Sequence, residues 1–191
     1  MKRLAFLAVC AVHSTVFAAD NFGGWHIGPA AGASQTHFVV EDAATGKRIA
    51  QPTAWGVGYG AFAGHDWAVG RNILLGLGGE VNLGGATARA DLPQSGGFAS
   101  ITPRWGYSLT ARAGVAPSAA TLLYVRGGYY AHRHRLASGG NVDFDFGEWV
   151  RSFTLGVGGE VRITPNVSAR LEFHHLDGHR NQVLLGIPFR F

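Results

Sequence analysis

The sequence predicts an all-β fold, an eight-stranded antiparallel β-barrel, and three observations carry that prediction. Only 15% of the 191 residues are charged, 47% are hydrophobic and 29 are glycine. A charged fraction well below the roughly 25% of soluble domains, with glycine at about twice its usual ~7%, excludes a disordered chain and a coiled coil. Apolar residues also recur at every second position through long stretches, the period of a strand with two unlike faces. Finally, the connectors between those stretches alternate between short and long. The length suits a single domain.

Residues 1–18 read as a cleaved signal peptide. Lys2 and Arg3 supply a positive start, Leu4 to Val12 an apolar stretch, and Val16-Phe17-Ala18 small residues at the −3 and −1 positions. Cleavage is expected after Ala18, with Ala19 as second choice. Cys10, the sole cysteine, falls inside this leader, behind Val9 where a lipoprotein signal needs a small residue. The barrel domain, residues 19–191, would therefore hold no thiol and depend on backbone pairing and packing. The formal charge of +4 is not gathered into a run, so nucleic acid is not expected as a partner. No window after the leader offers the ~18 uninterrupted apolar residues of a membrane helix.

The first strand spans about residues 24–39 and the second about 55–65. The third, Ile73 to Leu83, has Ile73, Leu75, Leu77, Val81 and Leu83 on one face and glycines with Glu80 and Asn82 on the other. The fourth, Trp105 to Val115, sets Trp105, Tyr107, Leu109 and Val115 against Arg104, Gly106, Ser108, Thr110 and Arg112. A fifth covers about residues 122–132. The sixth, Phe153 to Ile163, repeats the third almost string for string, Leu155-Gly-Val-Gly-Gly-Glu-Val161 against Leu75-Gly-Leu-Gly-Gly-Glu-Val81. Residues 167–176 and 182–191 complete the set, the last with Val183, Leu185, Ile187, Phe189 and Phe191 on its apolar face.

Short connectors (66–71, 116–120, 164–166) alternate with long ones (40–52, 84–97, 133–148), while the last, near 177–180, is short. With both ends of an even-stranded chain on the short-turn side, this is the layout of an outer-membrane barrel. The apolar parity should face outward, because the other parity is too rich in glycine and too poor in charge for a solvated exterior. Glycine suits a narrow lumen, where eight strands leave room only for side chains. The charges on that inner parity are Glu80, Glu160 and Glu172 with Arg104, Arg112, Arg126, Arg162, Arg170 and Arg190. Bulky Phe62, Leu74, Tyr124 and Tyr130 should help to fill the lumen, leaving no continuous channel. Trp25, Trp55, Tyr59, Trp105, Tyr107, Tyr129, Trp149, Phe189 and Phe191 lie near strand ends, as girdle residues do.

Leu74-Leu-Gly-Leu-Gly-Gly-Glu-Val81, Leu122-Leu-Tyr-Val-Arg-Gly-Gly-Tyr-Tyr-Ala131, Gly156-Val-Gly-Gly-Glu-Val-Arg-Ile-Thr-Pro-Asn-Val-Ser168, Leu171-Glu-Phe173 and the terminal Phe together resemble the small OmpA-like and opacity-type outer-membrane barrels, including alphaproteobacterial surface antigens. The resemblance covers nearly all of residues 19–191. It implies delivery to the outer membrane of a Gram-negative bacterium, with Ile187, Phe189 and Phe191 read by the barrel assembly machinery, and it implies no enzyme. Nothing after the last strand resembles the peptidoglycan-binding domain that some OmpA relatives carry, so a cell-wall tether is not expected.

The site residues follow. Glu80, Arg112, Arg126, Glu160, Arg170 and Glu172 should form a structural salt-bridge network in the lumen. Arg133 and Arg135, on the long-loop side, could contact lipopolysaccharide phosphates, for which guanidinium forks are suited. His132, His134, His175 and His179 are weak candidates for a transition metal, with Asp143, Asp145 or Asp177 adding oxygen ligands, against the plainer reading that His132 and His174 line the lumen. No cofactor is expected. The string Phe173-His-His-Leu-Asp177 loosely resembles the His-x-Ser stretch of lipid A deacylases, yet Asp177 stands where the serine nucleophile should be. The expected function is a non-enzymatic barrel with a structural envelope role and exposed loops that could serve as adhesin or surface antigen. The alternatives are a lipid A-modifying enzyme or a soluble lipocalin-like barrel.

Overall fold

The computed structural model describes residues 18–42, 45–92, 96–139, 144–176 and 180–191. All of the expected leader but Ala18 lies outside the described residues, as do Asp143, Asp177 and His179.

A 3₁₀ turn at Ala18–Phe22 leads into β1 (Gly24–His37), followed by a small hairpin of β2 (Val40–Glu41) and β3 (Arg48–Ala50). Then come β4 (Thr53–Ala68), β5 (Ile73–Gly84), β6 (Ala88–Leu92), β7 (Gly97–Ser118), β8 (Thr121–Gly139), β9 (Phe144–Arg162), β10 (Ser168–Leu176), β11 (Arg180–Gly186) and β12 (Phe189–Arg190). Eight antiparallel staves run in the order β1, β4, β5, β7, β8, β9, β10, β11, and β11 returns to β1 with Thr36 opposite Arg180 and Ala30 opposite Gly186. β12 prolongs the last stave beside β1, where His26 faces Arg190. Pro188, which has no N–H for a ladder, sits in the break between β11 and β12.

The alternation of the sequence becomes the alternation of the wall. Val57, Leu109, Leu155 and Leu185 point outward and are 61–70% exposed, within a continuous apolar belt that no water-soluble surface would carry. Glycines, short polar groups and charges point inward. Aromatics rim the belt at both ends. Trp105 meets Trp149 edge to face at 4.9 Å between ring centroids, with Tyr107 and Tyr129 beside them. At the opposite end Trp25 and Trp67 flank the His65 ring at 4.9 and 4.6 Å, and the Phe191 N–H donates to the Trp25 carbonyl.

Gly24, Phe191 and the turns at 69–72, 119–120 and 163–167 share this second, short-turn end. The 3₁₀ turn folds across it: Phe22 is fully buried and clusters with Ala18, Leu74, Ala116, Leu122 and Tyr124, while the Ala19 N–H donates to the Arg71 carbonyl. At the long-loop end much of what reads as loop is strand. β6 and the outer parts of β7, β8 and β9 pair as one sheet that rises beyond the barrel, from Leu92 opposite Gly97 to Ser138 opposite Phe144.

Two inner-face assignments need correction. The register of β7 on β8 slips between Pro103 and Gly106, so that Arg104 and Trp105 together oppose one residue. This bulge turns Arg104 outward, where it is exposed. Arg162 lies not in the lumen but at the short-turn rim, donating to the carbonyls of Ala119 and Pro165.

Inner and outer glycines should differ in tolerance. A Cβ on Gly158 would come within 2.6 Å of the Tyr124 ring, whereas one on Gly79 would meet Leu109 Cδ2 at 3.4 Å and the Ser108 carbonyl oxygen at 3.6 Å, both ordinary contacts. Gly158→Val should lower stability by about 1–3 kcal/mol, the usual cost of overpacking, and Gly79→Ala should fold like the parent. Urea unfolding of the refolded barrel, read by gel mobility of unheated samples, measures both.

Candidate functional site

The inward parity of the strands stacks charged side chains into two adjoining clusters. In the first, on the short-turn side, Asp66 receives both Nε (2.8 Å) and Nη2 of Arg112 and, at 3.0 Å, Nη1 of Arg190. Arg190 reaches Glu160 at 2.8 Å and donates to the Phe22 carbonyl, while His26 lies 3.2 Å from Asp66. In the second, Arg126 bridges Glu80 at 3.1 Å and Glu172 at 3.2 Å. Glu172 is bound further by Arg170 at 3.0 Å, by His174 at 3.3 Å and by the Tyr124 hydroxyl at 2.6 Å. The Arg112 guanidinium over the Tyr124 ring links the two, and Arg170 stacks on Phe62 at 3.3 Å.

The count of charges explains how such groups survive burial. Asp66 and Glu160 face Arg112 and Arg190, and Glu80 and Glu172 face Arg126 and Arg170, so each cluster holds two carboxylates and two guanidiniums. Asp66, Glu80, Glu160 and Glu172 are each at most 3% exposed. An unpaired charge there would be strongly destabilising, while pairing and hydrogen bonding offset the desolvation. A void of about 20 Å³ between the clusters, lined by His26, Phe62, Thr110, Arg112, Arg126 and Arg170, has room for about one water. The lumen is closed at this level.

All six residues predicted for a lumen network lie in it. Asp66, His26 and Arg190 join them, and of these Arg190 is already on the inner parity in the sequence. Asp66 escapes the sequence reading because the apolar alternation fades at His65, yet β4 continues to Ala68 and Asp66 keeps the inward parity of Phe62 and Gly64. A third inward feature is Arg180, fully buried and bound to Ser34, Tyr130 and the Gly84 carbonyl. Its place at the end of an assumed short loop hides it.

Of the described histidines weighed as a metal site, His175 does not join His132 and His134. His132 and His134 are buried inside the barrel, their rings 4.7 Å apart. His175 is on the outer face, its Nδ1 2.8 Å from Asn181 Oδ1. Neighbours of odd and even parity on a strand cannot share an ion through the wall. Glu80, Glu172 and His174 do bring ligand atoms within 4.8 Å of one another, but Arg126 already bridges the two carboxylates.

Outside, at the long-loop rim, Arg104, Trp105, Arg133, Arg135, Asp145 and Phe146 line an open cleft of about 470 Å³. Arg135 Nε donates to Asp145 Oδ1 at 2.7 Å, and its Nη2 binds the other carboxylate oxygen. That bonded guanidinium holds the Asp145 carboxyl below its ordinary range. Arg104 and Arg133 face solvent, and among the described residues neither makes a direct ion pair, although Arg104 lies close enough to add to the field on Asp145. Ile187, Phe189 and Phe191 point outward, Phe191 at 79% exposure.

Comparison with known proteins places these features. A family model described as the outer membrane protein beta-barrel domain matches residues 4–189. Among solved structures, the Neisserial surface protein A shares 13% identity over 87% of this chain and 96% of its own, with a TM-score of 0.52. At that identity the likeness shows a common fold. Ail of Yersinia pestis (17% identity, 88% and 99% coverage, TM-score 0.48) and the outer membrane protease OmpT of Escherichia coli (10%, 87% and 96%, 0.45) are also similar. No curated protein sequence matches the chain.

Two expectations follow from this geometry. Asp66→Asn, which leaves Arg112 and Arg190 without a carboxylate, should cost about 3–5 kcal/mol, and adding Arg112→Gln should cost less than the sum of the two single changes. A urea double-mutant cycle measures the coupling. Because the folded Asp145 titrates below its unfolded value, its pairing with Arg135 is complete above the ordinary carboxylate range and is lost as pH falls through the depressed value. Carboxyl NMR should show Asp145 titrating low in the parent and returning to normal in Arg135→Gln.

Proposed function

The chain belongs to the outer membrane protein β-barrel family, and on that premise we propose that it acts as a non-enzymatic structural barrel whose basic outer rim contacts lipopolysaccharide. The protein resides in the outer membrane of a Gram-negative bacterium, with an envelope or surface role.

One observation carries the reading: an apolar belt encloses a lumen whose four buried carboxylates are each paired with arginine. The buried carboxylates Asp66, Glu80, Glu160 and Glu172, which could otherwise do acid–base chemistry, are spent on arginines and shut away from any lipid or peptide substrate. The free chemistry lies outside. The bulge that turns Arg104 outward sets it beside Arg133 and Arg135, just beyond the Trp105–Trp149 pair that marks the edge of the belt. Phosphates of the outer leaflet lie at that height, and unpaired guanidiniums bind them through parallel N–H donors. Ile187, Phe189 and Phe191 present the alternating apolar end that the assembly machinery would take.

A second reading, that of an adhesin or surface antigen, is favoured by the sheet of β6 to β9 that stands above the belt. Replacing residues 88–101 and 134–150 by short turns should leave envelope resistance intact and abolish host-surface binding if adhesion is the role. For the structural reading, a deletion strain should gain sensitivity to detergent.

The lipopolysaccharide contact has its own test. Arg104→Ala, Arg133→Ala and Arg135→Ala combined should weaken binding of purified barrel to lipopolysaccharide by roughly tenfold, the loss of one or two charge-assisted contacts, and flatten its dependence on salt. Unchanged affinity by calorimetry, with the barrel still heat-modifiable on gels, would sink this contact.

A further inference from the structure

We propose that the long-loop end of the lumen holds one small monovalent anion, of halide type, against Arg180 and His132. The two clusters below it are each internally neutral and have no charge to lend. Arg180 is 1% exposed, and among the described residues its side chain donates to uncharged acceptors alone: Ser34 Oγ at 2.9 Å, the Tyr130 hydroxyl at 3.1 Å and the Gly84 carbonyl at 3.0 Å. Among the described residues no carboxylate lies within ion-pair distance of it. Every other buried guanidinium is met by an acid, so Arg180, without one among the described residues, is a site with one charge to fill.

A second observation points to the same place. His132 is fully buried with no side-chain partner for either ring nitrogen among the described residues, and the Thr36 hydroxyl is likewise unpaired there. These groups converge on Arg180. Thr36 is its register partner across the β1–β11 seam, and the Tyr130 ring that carries the Arg180-bound hydroxyl stacks on His132 at 5.8 Å between centroids. A guanidinium, an imidazole N–H and a hydroxyl are donors, and what donors around one net positive charge lack is an anion. Gln182 Oε1, also without a donor, is matched by a water beside the ion. Full enclosure limits the occupant to a single ion, so a phosphate monoester is too large and carries too much charge.

The test uses the refolded barrel in detergent, with its unfolding midpoint followed as chloride replaces gluconate at constant ionic strength, and crystals soaked in bromide. The expected result is a bromide anomalous peak beside Arg180 and His132, with the midpoint rising by several degrees at chloride on the order of 100 times its Kd. That rise should vanish in Arg180→Gln. A peak in the crystal with no chloride effect in solution would mean an adventitious ion only and overturn the proposal. So would a water in place of the peak, or an equal chloride response in parent and variant. A response that appears only in Asp177→Asn would show that the chain supplies its own counter-charge and would also overturn it. If Arg180→Gln does not fold, His132→Phe gives the same comparison, and the bromide peak needs no variant.

Discussion

In hydrocarbon every backbone N–H and C=O must find a partner within the protein, because no water is available to take its place. The whole molecule follows from the one seam that meets this demand, β11 laid back on β1 from Thr36–Arg180 to Ala30–Gly186. Once that seam closes, no membrane-buried edge remains and each side chain is either outside or inside with no middle ground. The small circumference then decides what can be inside. Lumen-facing Gly60, Gly64, Gly128 and Gly158 sit where a Cβ would run into the neighbouring strand or ring, so the glycine richness of the chain is a packing requirement of eight staves.

Closure also creates an electrostatic problem. The interior is too narrow for bulk water, yet too polar in its backbone edges to be filled with aliphatic side chains alone. The chain answers by setting arginines against carboxylates, most of them from different strands, so that Arg112, Arg126 and Arg190 tie β7, β8 and β12 to β4, β5, β9 and β10. These cross-lumen contacts hold opposite walls together in a protein that has no central core, and they do so at the expense of any aqueous path. The guanidiniums that face solvent, Arg104 and Arg133, lie instead at the long-loop rim.

The fold was legible because a barrel wall writes its two environments into alternate positions, and Leu75, Leu77 and Val81 against Gly76, Gly78 and Glu80 can be sorted without a model. The inner network was legible for the same reason, since Glu80, Arg112, Arg126, Glu160, Arg170 and Glu172 all fall on the glycine-rich parity. What failed were the places where parity is broken or fades. A bulge at Arg104 inverts the face of a residue without any mark in composition, and Asp66 falls just past the expected end of its strand, where His65 interrupts the outward apolar row before Trp67 resumes it. The upper strands escaped because out of the membrane a strand no longer needs an apolar face, so β6 and the tops of β7 to β9 carry turn-like composition while still pairing.

The Arg190 side chain touches the Phe22 carbonyl, Asp66 and Glu160 at once, which joins the segment before the first stave to the end of the last. The two ends of the chain thus share one set of buried charges, and neither can leave alone: releasing the last stave would uncover Phe22 and strip Asp66 of one of its two guanidiniums.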